Sequence, residues 1–236
     1  MGAIYLVRHG QASFGKTDYD NLSELGRRQS ALLGQRLVHL DQKISLFVSG
    51  THRRHLQSLE ACLEAWSVAG IEYERHIRQD ARFDEFDHAD VLLRFMPQFP
   101  DLAALSAYVG QQDRPEIVFQ EMFEHAVARW VGGAHDAEYR ESWNAFQIRC
   151  NAALTPLLEH VEQGNSAIVF TSGGPISAIC QQLLAIPDQR IFDLNWSLVN
   201  AGVTKLVYGK GRICLSYLNN FSHLEAMHDE SLLSYR

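Results

Sequence analysis

Cysteine is scarce and unpatterned in this chain of 236 residues: Cys62, Cys150, Cys180 and Cys214 form no CxxC pair and no Cys/His ligand spacing. That excludes a disulfide framework and a zinc module, and it predicts a reducing compartment with reduced, mostly buried thiols. Net positive charge is missing too. The formal balance is -7 at pH 7, which argues against nucleic acid or an anionic membrane as partner. No stretch approaches the roughly 18–20 apolar residues of a membrane span. Arg8 and His9 cut the N-terminal apolar run short, so no signal peptide is expected and the expected location is cytoplasmic. Internal repeats, low-complexity tracts and an interdomain linker are absent as well.

What is present is an ordinary globular composition, 46% hydrophobic and 21% charged, with length for one large domain or one domain carrying an insertion. Short apolar runs at residues 3–7, 44–48 and 167–171 read as buried strands, with a shorter candidate at 71–75. Helical patterns lie between them. One begins behind the N-cap candidate Ser23 and continues through Leu32, Leu33, Leu37 and Leu40. Others run from about Arg53 to Val68, from about Glu138 to Gln163, and from the Ser172-Gly173-Gly174-Pro175 turn to Leu184. Residues 203–208 and 213–217 form a closing pair around Gly209-Lys210-Gly211. Alternating strands and helices predict an α/β fold with a mostly parallel sheet covered on both faces.

Between about residues 86 and 136 the pattern changes. Aromatic residues from Phe86 to Trp130 are spread over irregular helical pieces broken by Pro97, Pro100 and Pro115. This reads as a helical insertion over the core, a candidate lid whose aromatics mainly serve packing.

The chemistry concentrates at strand ends. Residues 3–7 run into Arg8-His9-Gly10, and two other strands end on Ser49-Gly50-Thr51 and Ser172-Gly173-Gly174. Parallel strands bring their C-terminal ends to one edge, where ligands bind in such sheets. Arginine recognises phosphate through a planar fork, imidazole is a nucleophile near neutral pH, and glycine lets a ligand approach the backbone. Together they suggest phosphoryl transfer through histidine, with Arg8, Arg53 and Arg54 available to offset the acidic balance locally.

At these residues the chain resembles the histidine phosphatase superfamily, the phosphoglycerate mutase-like enzymes. The resemblance rests on residues 6–10 (Leu-Val-Arg-His-Gly), residues 22–26 (Leu-Ser-Glu-Leu-Gly) with Gln29, and residues 49–58. That last run, Ser-Gly-Thr-His-Arg-Arg-His-Leu-Gln-Ser, is similar to the family's Ser-Ser-Pro-Leu-x-Arg-Ala-x-Gln-Thr. Residues 168–174 fall where the family has apolar residues leading into Ser-His-Gly-Gly. The resemblance implies a single domain over 1–236 with a three-layer α/β/α sandwich and the lid insertion. It implies His9 as the nucleophile, forming a phosphohistidine, with Arg8 and Arg54 binding phosphate. Arg53 is the competitor for the second arginine, and the spacing to Gln57 and Ser58 favours Arg54. It also implies a carboxylic acid as proton donor within residues 82–86: Glu85, with Asp84 and Asp87 as competitors. No cofactor and no metal are implied.

Two departures from the family pattern bear on function. Ser172 stands where the family has its second histidine. Its hydroxyl and the amides of Gly173 and Gly174 remain as phosphate donors, and His52, with His88 and His223 as weaker candidates, is the imidazole available to compensate. Gly15 replaces a family asparagine, which leaves Ser13 or Gln11 to contribute substrate contacts in that loop. The resulting expectation is a metal-independent phosphomonoesterase acting on a small-molecule phosphate ester or a phosphoprotein. A catalytically weakened phosphate-ligand or phosphoprotein-binding relative, a phosphoglycerate mutase and a serine hydrolase are the alternatives. The last lacks the first glycine of a G-x-S-x-G elbow. The oligomeric state stays open, a homodimer among the options.

Overall fold

The computed structural model describes residues 2–13, 20–39, 44–70, 77–162 and 164–235. In chain order these form β1 (Gly2–Arg8), α1 (Glu24–Leu37), β2 (Ile44–Ser49), α2 (Arg53–Val68), β3 (Ile77–Gln79), α3 (His88–Phe95), α4 (Leu102–Gly110) and α5 (Pro115–Val131). They continue with α6 (Trp143–Ala152), α7 (Thr155–Glu162), β4 (Ser166–Thr171), α8 (Gly173–Leu184), α9 (Ile191–Ser197), β5 (Val203–Gly209), β6 (Arg212–Asn220) and α10 (Ser222–Glu225). The strand candidate at 71–75 and the helical position Leu40 lie outside the described residues.

The strands make one sheet in the order β3-β2-β4-β1-β5-β6. β3, β2, β4 and β1 are parallel, while β5 runs antiparallel to both β1 and β6. Register aligns Arg8 with Thr171 and Ser49 with Phe170, so the three polar strand ends lie level along one edge. Both faces are covered, as the uninterrupted apolar strands require. Ala3, Tyr5, Val7, Phe47, Ile168 and Phe170 face Leu33 and Leu37 of α1 and Leu59, Cys62, Leu63 and Trp66 of α2. Ile4, Leu6, Ala167 and Val169, alternating with them and equally buried, turn to the face where α7 and α8 pack on β1. Each buried Val, Leu, Ile or Phe among them contributes about 1.5–3 kcal/mol by leaving water. The result is an α/β fold with a mostly parallel sheet.

Helix ends follow local chemistry. The Ser23 hydroxyl accepts from the Gly26 amide at 3.0 Å and caps α1. The single helix expected from about Glu138 to Gln163 is instead two. Ser142 accepts from the Ala145 amide and starts α6, and the helix stops at Ala152. Pro156 has no N–H to continue it, so α7 begins afresh at Thr155 with the proline in its first turn, where no donor is needed.

The chain forms two compact units. The first runs through Glu85, resumes from Cys150 to Ile186, and continues from Ile191; it holds the whole sheet. The second comprises Phe86–Arg149 with Pro187–Arg190, and the insertion expected at about 86–136 falls within it. Its centre is aromatic: Trp130 lies 4.8 Å from Phe86, 5.1 Å from Trp143 and 5.7 Å from Phe146 between ring centroids. The Trp130 indole N–H donates to the Glu141 carbonyl at 2.8 Å, so its one polar atom is satisfied. Among the described residues no helix is long and apolar enough to cross a membrane. Cys62, Cys150 and Cys180 are buried and Cys214 is exposed. Burial pushes the Cys180 thiol up to about 12 and Cys62 upward as well, so neither supplies a thiolate.

Candidate active site

His9 follows directly on β1, and its backbone is held from both sides. Its amide donates to the Thr171 carbonyl at 2.8 Å, and its carbonyl accepts from the Ala201 amide and the Asn200 side chain. The ring is buried, 5% exposed, and Nδ1 lies 2.7 Å from the Gly10 carbonyl. A carbonyl only accepts, so Nδ1 carries the hydrogen and Nε2 keeps its lone pair. Gly10 is itself pinned: its amide donates to Ser58 Oγ at 2.9 Å, and that hydroxyl donates to the Arg54 carbonyl at 2.7 Å. Beside the ligand approach expected of Gly10, the structure gives the glycine a packing reason. A Cβ there would stand 2.2 Å from the Gly26 carbonyl oxygen, so the glycine exists to let the first turn of α1 cross it.

Arg54 is buried in the first turn of α2, and its guanidinium meets Asp20 at 2.6 Å. The other Asp20 oxygen accepts from the Arg53 amide at 2.8 Å. His52 at the N-cap makes no side-chain capping bond, so Asp20 supplies the cap and the negative charge that this basic helix start lacks. Arg53 turns to the Asn21 side chain at 2.7 Å and is exposed. Arg8 reaches the Leu198 carbonyl and, at 2.9 Å, the Tyr235 carbonyl.

Three imidazoles form a file. His9 lies 5.6 Å from His55, and His55 stacks on His52 at 5.1 Å. His55 is fully buried, and its Nε2 lies 2.7 Å from Ser172 Oγ. Burial first, then the charges of Arg54 and Arg8, hold His9 well below the usual imidazole range, against the opposing Gly10 bond. Burial and the neighbouring His9 do the same to His55. Both rings are therefore neutral at pH 7, and an unprotonated His9 Nε2 can act as a nucleophile.

The three candidate acids separate cleanly. Glu85 Oε2 accepts from the Gly174 amide at 3.2 Å, at the start of α8 and two residues from Ser172. Asp84 is taken by Thr51, accepting from its amide at 2.6 Å and from its hydroxyl. Asp87 belongs to the second unit, where it caps α3 and pairs with Arg140 at 3.2 Å. Gly173 follows Ser172 at the helix start, and a Cβ there would lie 2.5 Å from Asn195 Oδ1. The Ser13 amide donates to the Asn21 carbonyl, while Gly15 lies outside the described residues. Among those residues no cluster of three or more His, Cys, Asp or Glu is arranged to hold a metal ion.

Gln29 accepts from the Gln11 amide at 2.9 Å, and Gln57 accepts from the Leu22 amide at 2.8 Å; both act as staples of the loop after β1. His88 is exposed in the second unit. His223 is buried on α10 near Arg36, at the opposite end of α1 from Ser23. His55, which sequence reasoning passed over, is the imidazole that reaches Ser172. The signal was there: a histidine beside a glycine-containing turn, on the first turn of a helix already carrying two arginines.

A family model described as the histidine phosphatase superfamily (branch 1) matches residues 4–95 and 107–221. The serine/threonine-protein phosphatase PGAM5, mitochondrial, of Xenopus laevis is 44% identical over 59 residues, 24% of this chain and 22% of that protein. A phosphoglycerate mutase from Bacillus anthracis superposes with a TM-score of 0.65 at 16% identity, covering 96% of each chain. A mycobacterial glucosyl-3-phosphoglycerate phosphatase superposes with a TM-score of 0.60 at 21% identity, covering 92% of this chain and 98% of its own. At these identities the likeness concerns the fold.

Proposed function

Since the chain belongs to the histidine phosphatase superfamily, we propose that it is a metal-independent phosphomonoester hydrolase working through a phosphohistidine on His9. One observation carries this reading: the buried His9 ring has its hydrogen fixed on Nδ1 by the Gly10 carbonyl. In the proposed reaction Nε2 attacks phosphorus, the ester P–O bond breaks, and the Glu85 carboxyl gives its proton to the departing oxygen. Water then attacks the phosphohistidine. The P–N bond breaks, Glu85 takes the proton from water, and inorganic phosphate leaves with His9 neutral again.

Arg8 and Arg54 supply the positive charge that the phosphoryl oxygens need, with the Ser172 and Ser13 hydroxyls and the Gly173 amide as further donors. Phosphate binding at Arg54 has to share the guanidinium with Asp20. Hydrolysis is preferred over mutase chemistry on the composition of residues 86–136, whose cations are only Arg94, Arg114 and Arg129 among acids and aromatics. The substrate class is a small-molecule phosphate ester or a phosphoprotein. A second reading, a weakened relative that binds phosphorylated ligands, is favoured by Ser172 standing at the family's second histidine.

A panel of sugar, lipid, nucleotide and protein phosphates separates the readings. Wild type should release phosphate from at least one member, and His9→Ala should lower that rate by ~10³-fold or more. Release that persists in His9→Ala refutes the nucleophile. Binding without release by wild type favours the second reading.

A further inference from the structure

Ser172 occupies the N-cap position of α8, where a serine oxygen ordinarily accepts from a helix amide. Here it makes no such bond. Its Oγ lies instead 2.7 Å from Nε2 of the fully buried His55. Keeping an imidazole there takes room that the chain provides elsewhere. A Cβ on Gly50 would stand 2.3 Å from His55 Nδ1 and 2.7 Å from Asp84 Oδ1, so any other residue at position 50 would push the ring away. Aligned on Arg54 and Gln57, Gly50 falls on the second serine of the family run, His55 on its alanine, and Ser172 on its histidine. Against the family pattern that the sequence resembles, this chain has an imidazole on α2, a hydroxyl after β4 and no side chain at position 50 between them. The three departures meet at one contact.

We infer that Ser172 and His55 act as a single unit in place of the family's second histidine. The Ser172 hydroxyl is the donor to the transferring phosphoryl group, and His55 is the positioning residue that holds it. The proposed unit requires the tautomer in which His55 Nε2–H donates to Ser172 Oγ, 2.7 Å away, which leaves the hydroxyl hydrogen for a phosphoryl oxygen and strengthens it as a donor. His9, 5.6 Å from the His55 ring, is the neighbour that the phosphoryl group would join. No covalent bond to Ser172 or His55 forms at any stage. The inference rests on the phosphohistidine reading for its chemical step and on geometry alone for phosphate binding.

Two readouts on one set of variants test it: the single-turnover rate of His9 phosphorylation, and affinity for inorganic phosphate. His55→Ala and Ser172→Ala should each lower the rate by ~10²-fold, and the double variant should be no slower than either, because the two remove one interaction. His55→Gln, which keeps an N–H donor, should recover part of the loss. His55→Ala with Ser172→His should recover most of it, a rescue that a merely structural role for His55 would not give. Costs that multiply in the double variant overturn the inference, as does a Ser172→Ala rate within threefold of wild type. Ser172→Ala removes one oxygen and is expected to fold even if His55→Ala does not. A wild type that never labels His9 but shows the coupled loss of phosphate affinity sinks the proposed turnover and leaves this inference standing. Labelling with uncoupled losses sinks the inference alone.

Discussion

Ser58→Ala is the perturbation whose consequence follows most directly from the structure. The Ser58 hydroxyl is fully buried, takes the Gly10 amide at 2.9 Å and passes its own hydrogen to the Arg54 carbonyl at 2.7 Å. Deleting that oxygen leaves a buried N–H with nothing to bond, a cost of about 1–3 kcal/mol. A loss of about 2 kcal/mol in a chain of this size lowers Tm by about 4–8 °C. The functional effect travels one bond further. The Gly10 carbonyl fixes the His9 ring at 2.7 Å, so a loosened Gly10 peptide loosens the nucleophile, and kcat should fall by ~10-fold or more with little change in KM. Circular dichroism melts and initial rates on one phosphomonoester measure both effects. Ser58→Thr keeps the hydroxyl and should recover most of each. A Ser58→Ala protein that melts within 1 °C of wild type (a change of under about 0.5 kcal/mol) and turns over normally would refute the reasoning.

Acid should destabilise the fold through its buried histidines. Burial brings His223 down to about 4; the unfolded chain therefore takes up the proton first as pH falls. Stability present above about 6.5 is then lost between there and about 4, at up to about 1.4 kcal/mol per pH unit. His9 and His55 shift in the same direction. Urea midpoints should decline across that window, and His223→Gln should flatten the decline by about one proton; an unchanged slope would contradict the assignment. Arg54→Lys keeps the charge but loses the planar fork, so kcat/KM should fall by about 10–100-fold with Tm nearly unchanged; wild-type kinetics would remove Arg54 from the site. Glu85→Gln can still accept from the Gly174 amide but cannot give a proton. It should slow alkyl phosphates by ~10²-fold or more and nitrophenyl phosphate far less; equal losses on both would point to a positional role instead.

Much of this was legible in sequence because the determinants are local. Residues 3–7 read as a buried strand since every one is apolar, and Ser23 and residues 53–68 announce their helices through a cap and a periodic face. The break between α6 and α7 was harder to see, because the apolar pattern continues across it and only Pro156 marks the interruption. The packing reason for Gly10 was not legible because its close neighbour, Gly26, meets it only after folding. His55 escaped for the same reason. Its partner Ser172 is 117 positions away, and nothing in residues 49–58 says which of His52 and His55 turns inward. The different surroundings of Asp84, Glu85 and Asp87 likewise emerge only on folding: they meet Thr51, Gly174 and Arg140.

Rapid-quench phosphorylation of the protein with a labelled phosphomonoester, followed by mass-spectrometric mapping, tests the nucleophile most directly. An acid-labile, alkali-stable phosphoryl group on His9, absent from His9→Ala, is the predicted outcome. Phosphate released at the full rate with no adduct on His9, or an adduct on any other side chain, would contradict it.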